Sequence, residues 1–227
     1  MNSNSQNPLV PWQQIDTVLL DMDGTLLDLN YDNTIFSQLL PTAYAKRHQL
    51  SNEDAQQQLH GHMMGLIGTM KFYQLDYWRD FTGLNMMALH EEAVDLIQFL
   101  PGAADFLQRL SQSPKRTLIV TNADRQSFQI KDRALKLTAK VDVVVSSHDY
   151  LTPKEQPAFW QNLVEQEGIN PATSLFIDDT TRVLDSAKDF GIGFTLAMAK
   201  PDTHRPAKKT LDYPNFENFK QLLVGFK

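Results

Sequence analysis

Acidic, amide, hydroxyl and ammonium side chains follow apolar runs at several places along the chain. The first is LLDMDGTLLD (residues 19–28), in which two carboxylates stand one residue apart. The full set is Asp21 and Asp23, Thr121 and Asn122, Lys154, and Asp178 and Asp179. Several carboxylates with one lysine, and neither Cys nor His, suit a hard divalent cation with oxygen ligands, most naturally Mg²⁺. Because a carboxylate can also attack phosphorus as a nucleophile, the set predicts metal-assisted phosphoryl chemistry.

Electrostatic repulsion sets a condition on such an attack. A carboxylate and one negative phosphoryl oxygen about 4 Å apart repel by about 4 kcal/mol at an effective dielectric constant of about 20. Asp21 can therefore attack a phosphate only where both partners are neutralised. A metal ion held by Asp21 and Asp179, together with the ammonium of Lys154, would meet that condition.

The elements that position these side chains can be predicted from apolar patterns. Short runs rich in Val, Ile, Leu and Phe, without strict alternation, are typical of strands buried on both faces. They span 15–21, 116–122, 141–147, 174–179 and, more weakly, 193–198. Apolar residues three or four apart predict helices over 102–112, 124–138, 155–167 and 181–190. This alternation predicts an α/β fold, a Rossmann-like parallel sheet with helices on both faces, whose ligands bind at the carboxyl ends of the strands.

Residues 31–99 break this alternation and contain no convincing strand. Helix-like pieces fit there instead, including SNEDAQQQLHGHM, with Ser51 as its N-cap, and GTMKFYQLDYWRDF. We therefore predict an all-helical module at 31–99, inserted into an α/β core formed by residues 15–30 and 100–227. The polar N-terminus, residues 1–14, is predicted to be a flexible tail.

Composition excludes several classes of protein and site. The 227 residues include no Cys, which excludes disulfides, thiolate nucleophiles and Cys-based zinc sites. A formal net charge of −6 argues against binding a nucleic acid polymer along a broad face, although a local pocket can still bind a small phosphorylated substrate. No apolar stretch reaches the about 18–20 residues of a membrane span, and the N-terminus does not read as a signal peptide. We expect no membrane partner, a cytoplasmic location, and a monomer or small homo-oligomer.

Four motifs in order resemble those of the haloacid dehalogenase-like phosphatases: DMDGTLLD, TNA, a lysine in the loop after VVVSS, and FIDD. The resemblance covers most of the chain and implies a phosphomonoester hydrolase in which Asp21 becomes an aspartyl-phosphate. Asp23 would be the general acid for the leaving oxygen and then the base for the hydrolytic water. Thr121 and Asn122 would hold the transferring phosphoryl group, and Lys154 would bridge that group to the nucleophile.

The same resemblance implies a Mg²⁺ site formed by Asp178 and Asp179, together with Asp21 and the backbone carbonyl of Asp23. Gly24 would let the chain turn tightly beneath the phosphate. The second acid of the first motif also separates activities, because the dehalogenating members lack it. Its presence here favours phosphoryl transfer.

The chain departs from the family pattern in two motifs. Many relatives have Lys-Pro in the third motif, where this chain has Lys154-Glu155. The fourth motif often starts with Gly-Asp, whereas here it is Asp178-Asp179, and the usual trailing acid is displaced to Asp185. The division of metal binding among these three acids is therefore left open.

A wider resemblance is to the bacterial GMP/IMP-type 5′-nucleotidases. It is carried by WQQIDTVLLDMDGTLLDL, LDYW, PKE and FIDDTTRVLDSAKDFGI. The resemblance implies that the helical module is a mobile cap that chooses the leaving group, and that the substrate is a purine nucleoside 5′-monophosphate such as GMP or IMP. Lys71, Phe72, Tyr73 and Trp78 are candidates to contact the purine or the ribose.

Two alternative functions are weighed against this one. Capped relatives include sugar-phosphate phosphatases and phosphomutases, and a mutase would return an isomeric sugar phosphate with little free phosphate. A non-catalytic binding protein on this fold is less favoured, because all motif residues are present. Outside the motifs, the basic run at 200–209 is interpreted as a solvated loop, with proximity to an anionic substrate as its alternative.

Overall fold

A parallel sheet forms the centre of the computed structural model, which describes residues 8–209 and 212–226. The strands are β1 (Thr17–Leu20), β2 (Arg116–Thr121), β3 (Val143–Ser146), β4 (Ser174–Asp178), β5 (Phe194–Met198) and β6 (Asn215–Phe216). Within the described residues the six strands run in the order β3-β2-β1-β4-β5-β6, and every neighbouring pair is parallel. The predicted α/β fold with a parallel, Rossmann-like sheet is confirmed. The last strand has two residues, too few to give the apolar pattern by which the other five were predicted.

Helices occupy most of the chain between the strands. The α-helices are α1 (Asn30–Thr34), α2 (Leu40–His48), α3 (Asn52–Leu66), α4 (Leu75–Thr82), α5 (Met86–Glu92), α6 (Ala103–Ser111), α7 (Arg125–Leu135), α8 (Pro157–Glu167) and α9 (Thr181–Phe190). A π-helical stretch, Ile35–Leu39, joins α1 to α2. In the part of the chain that the structure describes, no helix combines the length and the apolar character needed to cross a membrane.

Alternate residues of the central strands pack on opposite faces of the sheet. Val18 and Leu20 of β1 are buried on the face covered by α6 and α7, together with Phe106. Leu19, between them, is buried on the face covered by α8 and α9, together with Trp160. Because both faces are covered, the strands lack the polar alternation of a half-exposed sheet.

The helices α1 to α5 lie between β1 and α6 in the chain, and α2 to α5 have a core cluster of their own, whereas Tyr31 of α1 packs with the core of the sheet. Trp78 is fully buried in that cluster, and its indole N–H donates to the carbonyl of Phe72 at 2.9 Å. Ser51 caps α3, as predicted, by accepting a hydrogen bond from the amide of Asp54 at 3.0 Å. We call residues 31–99 the helical segment.

The N-terminal residues that the structure describes are packed against the core. Val10 and Trp12 are buried, and the indole N–H of Trp12 donates to the carbonyl of Leu222 at 2.8 Å. The Trp12 ring also meets Phe226 edge-on, with ring centroids 4.6 Å apart. The prediction of a flexible tail over 1–14 is therefore wrong for residues 8–14, since the apolar VPW triplet supplies enough surface to dock them. Residues 1–7 of the predicted tail lie outside the described residues.

Candidate active site

The carboxyl ends of β2, β1 and β4, three neighbouring strands, meet at one edge of the sheet. Asp21 directly follows β1, Thr121 ends β2 and Asp178 ends β4. They line a cavity of about 70 Å³. Its lining includes all seven residues predicted from the motifs, namely Asp21, Asp23, Thr121, Asn122, Lys154, Asp178 and Asp179. The order of the strands thus brings together side chains that are far apart in the sequence.

The ammonium of Lys154 lies at the centre of this group. Its Nζ donates to Oδ1 of Asp21 at 2.6 Å, to Oδ2 of Asp178 at 2.8 Å and to the carbonyl of Val120 at 3.1 Å. Burial alone would lower the pKa of Lys154, but the charges of Asp178 and Asp21 outweigh burial and raise it. Lys154 therefore carries a fixed positive charge against the predicted nucleophile.

Three carboxylates converge beside that ammonium. One oxygen each from Asp21, Asp178 and Asp179 lies within 4.8 Å of the others. Burial raises the pKa of Asp21 to about 7 and that of Asp178 to about 6, although Lys154 opposes both shifts. Burial also raises the pKa of Asp179. Burial thus makes the charged forms of these carboxylates costly, and the neighbouring lysines compensate only in part.

The donor chemistry of this cluster fits a Mg²⁺ ion. Its three potential ligands are carboxylate oxygens, the type that Mg²⁺ prefers, and neither Cys nor His stands among them. A divalent cation would also stabilise the charged carboxylates that burial disfavours. Asp185 lies outside this cluster, and its carboxylate accepts a hydrogen bond from the Tyr213 hydroxyl at 2.6 Å.

Asp178 and Asp179 have different surroundings. Besides Lys154, the Asp178 carboxylate accepts a hydrogen bond from the amide of Thr180 at 2.7 Å. Asp179 instead meets Lys208, whose Nζ donates to Oδ2 of Asp179 at 3.1 Å and also to its carbonyl. Lys208 belongs to the basic run 200–209, so its interpretation as a purely solvated loop is wrong at this residue. A run of basic residues in the sequence does not show which of them contacts an acidic side chain in the folded protein.

Gly24 allows the first motif to pass close to the fourth. Its φ is +84°, a conformation that costs L residues energy. A Cβ at this position would lie 2.9 Å from Cγ of Asp179 and 3.0 Å from Cδ1 of Leu29. The amide of Gly24 donates to the carbonyl of Leu27 at 2.8 Å, which closes the turn. Glycine is thus required here by both the turn and the approach of a carboxylate.

Glu155 takes a role that the motif comparison did not foresee. Its Oε2 accepts a hydrogen bond from Nδ2 of Asn122 at 3.0 Å, and its Oε1 accepts one from the Tyr73 hydroxyl at 3.2 Å. The Oδ1 of Asn122 in turn accepts from the amide of Lys154 at 3.0 Å. The residue that stands where many relatives have proline therefore links the second and third motifs to the helical segment.

Of the four candidates for substrate contact in the helical segment, Tyr73 lines the cavity. Trp78 does not line it, because its ring is fully buried inside the core of the segment itself. The ammonium of Lys71 lies 5.5 Å from the centroid of the Tyr77 ring. Tyr73 is therefore the candidate at the cavity, whereas Trp78 and Lys71 have their contacts elsewhere.

Asp23 is held by a lysine that the sequence did not point to. The Nζ of Lys131 donates to Oδ1 of Asp23 at 2.6 Å. Burial raises the pKa of Asp23 to about 6, against the opposing charge of Lys131. Lys131 stands within α7, in the stretch QIKDRAL, where a lysine is ordinarily a solvated helix residue. Its approach to Asp23 depends on how α7 packs, which no local signal reveals.

Comparison with known proteins identifies the family of this chain. Residues 18–197 match the family described as haloacid dehalogenase-like hydrolase. The chain is 32% identical over 214 residues to the GMP/IMP nucleotidase YrfG of Escherichia coli strain K12, covering 94% of this chain and 96% of that protein. It is 26% identical to the pyrophosphatase PpaX of Bacillus mycoides, over 73% of this chain and 75% of the relative. A solved HAD phosphatase from Thermococcus onnurineus shares the fold with a TM-score of 0.78 at 18% identity, covering 94% of this chain and 99% of that one. The family predicted from the four motifs is confirmed, and the chain belongs to the haloacid dehalogenase-like hydrolases.

Proposed function

We propose that the protein is a Mg²⁺-dependent phosphomonoesterase that hydrolyses purine nucleoside 5′-monophosphates, GMP or IMP, through an aspartyl-phosphate on Asp21. The observation that carries the chemistry is the Lys154 ammonium, 2.6 Å from Asp21 and 2.8 Å from Asp178. It supplies the positive charge without which a carboxylate could not approach a phosphate. The substrate is supported by the 32% identity to a GMP/IMP nucleotidase over nearly the whole chain.

In the first half of the reaction, an oxygen of Asp21 attacks phosphorus and the bond from phosphorus to the ribose 5′-oxygen breaks. Asp23 gives its proton to that leaving oxygen. The pKa of Asp23, about 6 because of burial, allows part of the population to hold a proton near neutral pH. Thr121 and Asn122 bind the phosphoryl oxygens during the transfer.

In the second half, Asp23 takes a proton from a water molecule that attacks phosphorus, and the Asp21 carboxylate leaves. Lys154 balances the negative charge on Asp21 in both halves. A Mg²⁺ ion held by Asp21, Asp178 and Asp179, with the backbone carbonyl of Asp23, would supply Lewis-acid stabilisation of the phosphoryl charge.

We further propose that the helical segment acts as a cap and that Tyr73 meets the leaving group. Tyr73 belongs to the segment, lines the cavity and donates to Glu155 of the core. A hydroxyl and an aromatic ring in that place suit a nucleoside, which offers both hydrogen-bonding atoms and a stacking face. Tyr73 therefore differs from the fully buried Trp78 as a candidate for specificity.

The direct test measures release of inorganic phosphate from a panel of esters at saturating Mg²⁺. The panel contains GMP, IMP, AMP, glucose 6-phosphate and inorganic pyrophosphate, the last because of the relative named for that activity. We expect the highest kcat/KM with GMP or IMP. A panel without preference for these nucleotides would contradict the substrate and leave the chemistry standing. An isomeric sugar phosphate with little free phosphate would instead identify a phosphomutase.

A further inference from the structure

Lys131 connects the predicted general acid to the helical segment. Its side chain is 1% exposed. Its Nζ lies 2.6 Å from Oδ1 of Asp23, and 2.9 Å and 3.1 Å from the two carboxylate oxygens of Asp32. The ammonium also lies 5.2 Å from the centroid of the Tyr31 ring. Asp32 and Tyr31 both belong to α1, the first helix of the segment.

These contacts leave the two oxygens of Asp23 with different surroundings. Oδ1 accepts the hydrogen bond from Lys131, and the part of the chain that the structure describes offers no donor to Oδ2. Asp23 lines the cavity, whereas Lys131 does not. Lys131 is therefore placed to act on the reaction through Asp23 and not on the substrate itself.

Asp32 explains why the ammonium stays where it is. A lysine is seldom buried unless it is paired with acids, and a single pair with Asp23 would leave two of its three N–H groups without partners. Both oxygens of Asp32 accept from it. Burial by itself would lower the pKa of Lys131, but Asp23 and Asp32 outweigh burial and raise it. Lys131 thus remains charged and anchored on the side away from the cavity.

We propose that Lys131 is a positioning residue for the hydrolysis: anchored by Asp32, it fixes Asp23 through Oδ1 so that Oδ2 is presented to the leaving oxygen. The inference rests on the proposed function, since it assigns Asp23 the proton transfer. It adds that the acid is oriented by a buried ammonium shared with α1. A purely structural ion pair would lack this link to the leaving group.

The test compares two substrates that differ in their need for a proton. The leaving group of GMP, an alkyl ester, is the 5′-alkoxide of guanosine, which leaves poorly unless it is protonated. The leaving group of p-nitrophenyl phosphate is a stable phenolate, which needs little protonation. We expect Lys131→Met to lower the single-turnover rate of guanosine release from GMP by about 10- to 100-fold, part of the about 10²–10⁴-fold that general acid catalysis supplies. The single-turnover rate of p-nitrophenol release should change by less than about threefold, because the later role of Asp23 as a base, which is common to both substrates, does not enter this step. In an Asp23→Asn background, Lys131→Met should have no further selective effect.

Arg133→Met is the matched control, because Arg133 lies on the same helix and pairs with Glu91 of the helical segment at an exposed site. We expect it to leave both rates unchanged. Should Lys131→Met fail to fold, as judged by circular dichroism, Asp32→Asn provides the answer. That variant keeps the lysine and weakens its anchor, and we expect a smaller loss that still falls on GMP alone.

The outcomes separate this inference from the proposed function. An equal loss in the rate of leaving-group release from both substrates, or no loss in folded Lys131→Met and Asp32→Asn, would overturn the role of Lys131. If Asp23→Asn itself fails to discriminate between the substrates, the assigned role of Asp23 is wrong and the inference falls with it. If the protein does not hydrolyse GMP, the best alkyl phosphate of the panel replaces it, and the comparison stands unchanged.

Discussion

At the residue scale, the site contains fewer lysine ammonium groups than carboxylates. The Lys154 ammonium serves Asp21 and Asp178 together, and Lys208 reaches Asp179. The raised pKa values of Asp21 and Asp178, about 7 and about 6, follow from burial of acids that these lysines only partly offset. Three carboxylates beside two lysines suit a divalent cation better than a phosphate without one.

Replacement of Gly24 by alanine is expected to damage the turn and the metal site together. The φ of +84° should cost an alanine about 1–2 kcal/mol of folding free energy, and its methyl group would displace the Asp179 carboxylate. Urea unfolding measures the first effect, and the Mg²⁺ concentration needed for half-maximal activity measures the second.

Gly61→Ala is the control for that change. Gly61 lies within α3, and no atom stands within 4 Å of the Cβ that alanine would add. Since alanine favours a helix over glycine by about 1 kcal/mol, Gly61→Ala should be neutral or stabilising. Equal loss of stability in the two variants would contradict the special geometry of Gly24.

At the element scale, α5 carries a buried histidine whose protonation opposes folding. Nδ1 of His90 lies 2.8 Å from the Tyr31 hydroxyl, and its buried Nε2 finds no hydrogen-bond partner among the described residues. Burial, helped by the charge of Lys131, lowers the pKa of His90 from 6.5 to about 3. Below about pH 6.5 the unfolded chain therefore binds a proton that the folded chain does not, and stability falls as the pH falls.

This linkage can be measured with His90→Gln, which stays neutral over the same range. Between about pH 7.5 and about pH 5.5, His90 should reduce the free energy of unfolding by about 1.4 kcal/mol. The carboxylates titrate in both proteins, so the difference between wild type and variant isolates the histidine. If the free energy of unfolding changed equally with pH in the two proteins, His90 would take up its proton as readily in the folded state as in the unfolded state.

Helices and strands could be predicted from the sequence where a single local pattern of residues determines them. The unbroken apolar runs of β1 to β5 follow from a sheet covered on both faces, and Ser51 caps α3 through a local hydrogen bond. The contacts of Lys131 with Asp23, and of Lys208 with Asp179, could not be predicted. They depend on the packing of whole elements and leave no local pattern in the sequence.

At the scale of the whole molecule, metal binding is expected to stabilise the fold. Mg²⁺ at about 100 times its Kd should add about 2.7 kcal/mol to the free energy of unfolding, and a chelator should remove both this gain and turnover. Because protons compete with the metal for Asp21 and Asp178, with pKa values of about 7 and about 6, the gain should be larger near pH 8 than near pH 5.5.

Two matched variants, compared by their Mg²⁺-dependent stabilisation, test which carboxylates bind the metal. Asp179→Asn should lose most of the Mg²⁺-dependent rise in Tm, since Asp179 belongs to the carboxylate cluster. Asp185→Asn should keep it, because that carboxylate is engaged with the Tyr213 hydroxyl. Loss of the rise in Asp185→Asn would contradict the division of metal binding inferred from the structure.

The helical segment also rests on the core through a buried carboxylate. Asp124 caps α7 by accepting from the amide of Ser127 at 2.8 Å, and its other oxygen accepts from the amide of Leu75 at 2.7 Å. The cavity of about 70 Å³ beneath is far smaller than the about 300–1,000 Å³ of typical ligand pockets. Under the proposed function, we expect the segment to move away from the core when a nucleotide places its phosphate in this cavity.

Asp124→Ala is expected to loosen that contact. The amide of Leu75 should exchange with solvent faster in hydrogen–deuterium exchange, and the loss of the cap on α7 should cost about 1 kcal/mol. Asp132→Ala is the control, because Asp132 also accepts a backbone amide, that of Thr138 at 2.8 Å, but at an exposed position. Unchanged exchange at Leu75 in Asp124→Ala would show that other contacts hold the segment.

The proposed reaction requires that Asp21 itself accept the phosphoryl group. The most direct measurement is peptide mass spectrometry of Asp23→Asn, quenched in acid during reaction with p-nitrophenyl phosphate and Mg²⁺. The p-nitrophenolate group leaves without protonation, so Asp21 can still be phosphorylated in this variant. Because the variant lacks the Asp23 carboxylate as a base, hydrolysis of the aspartyl-phosphate is slow, and the intermediate should accumulate. We expect the mass of one phosphoryl group on the peptide that contains Asp21, and none when Asp21→Asn is added. Phosphate release without any modification of that peptide, or turnover that survives Asp21→Asn, would contradict a phosphorylated Asp21 intermediate.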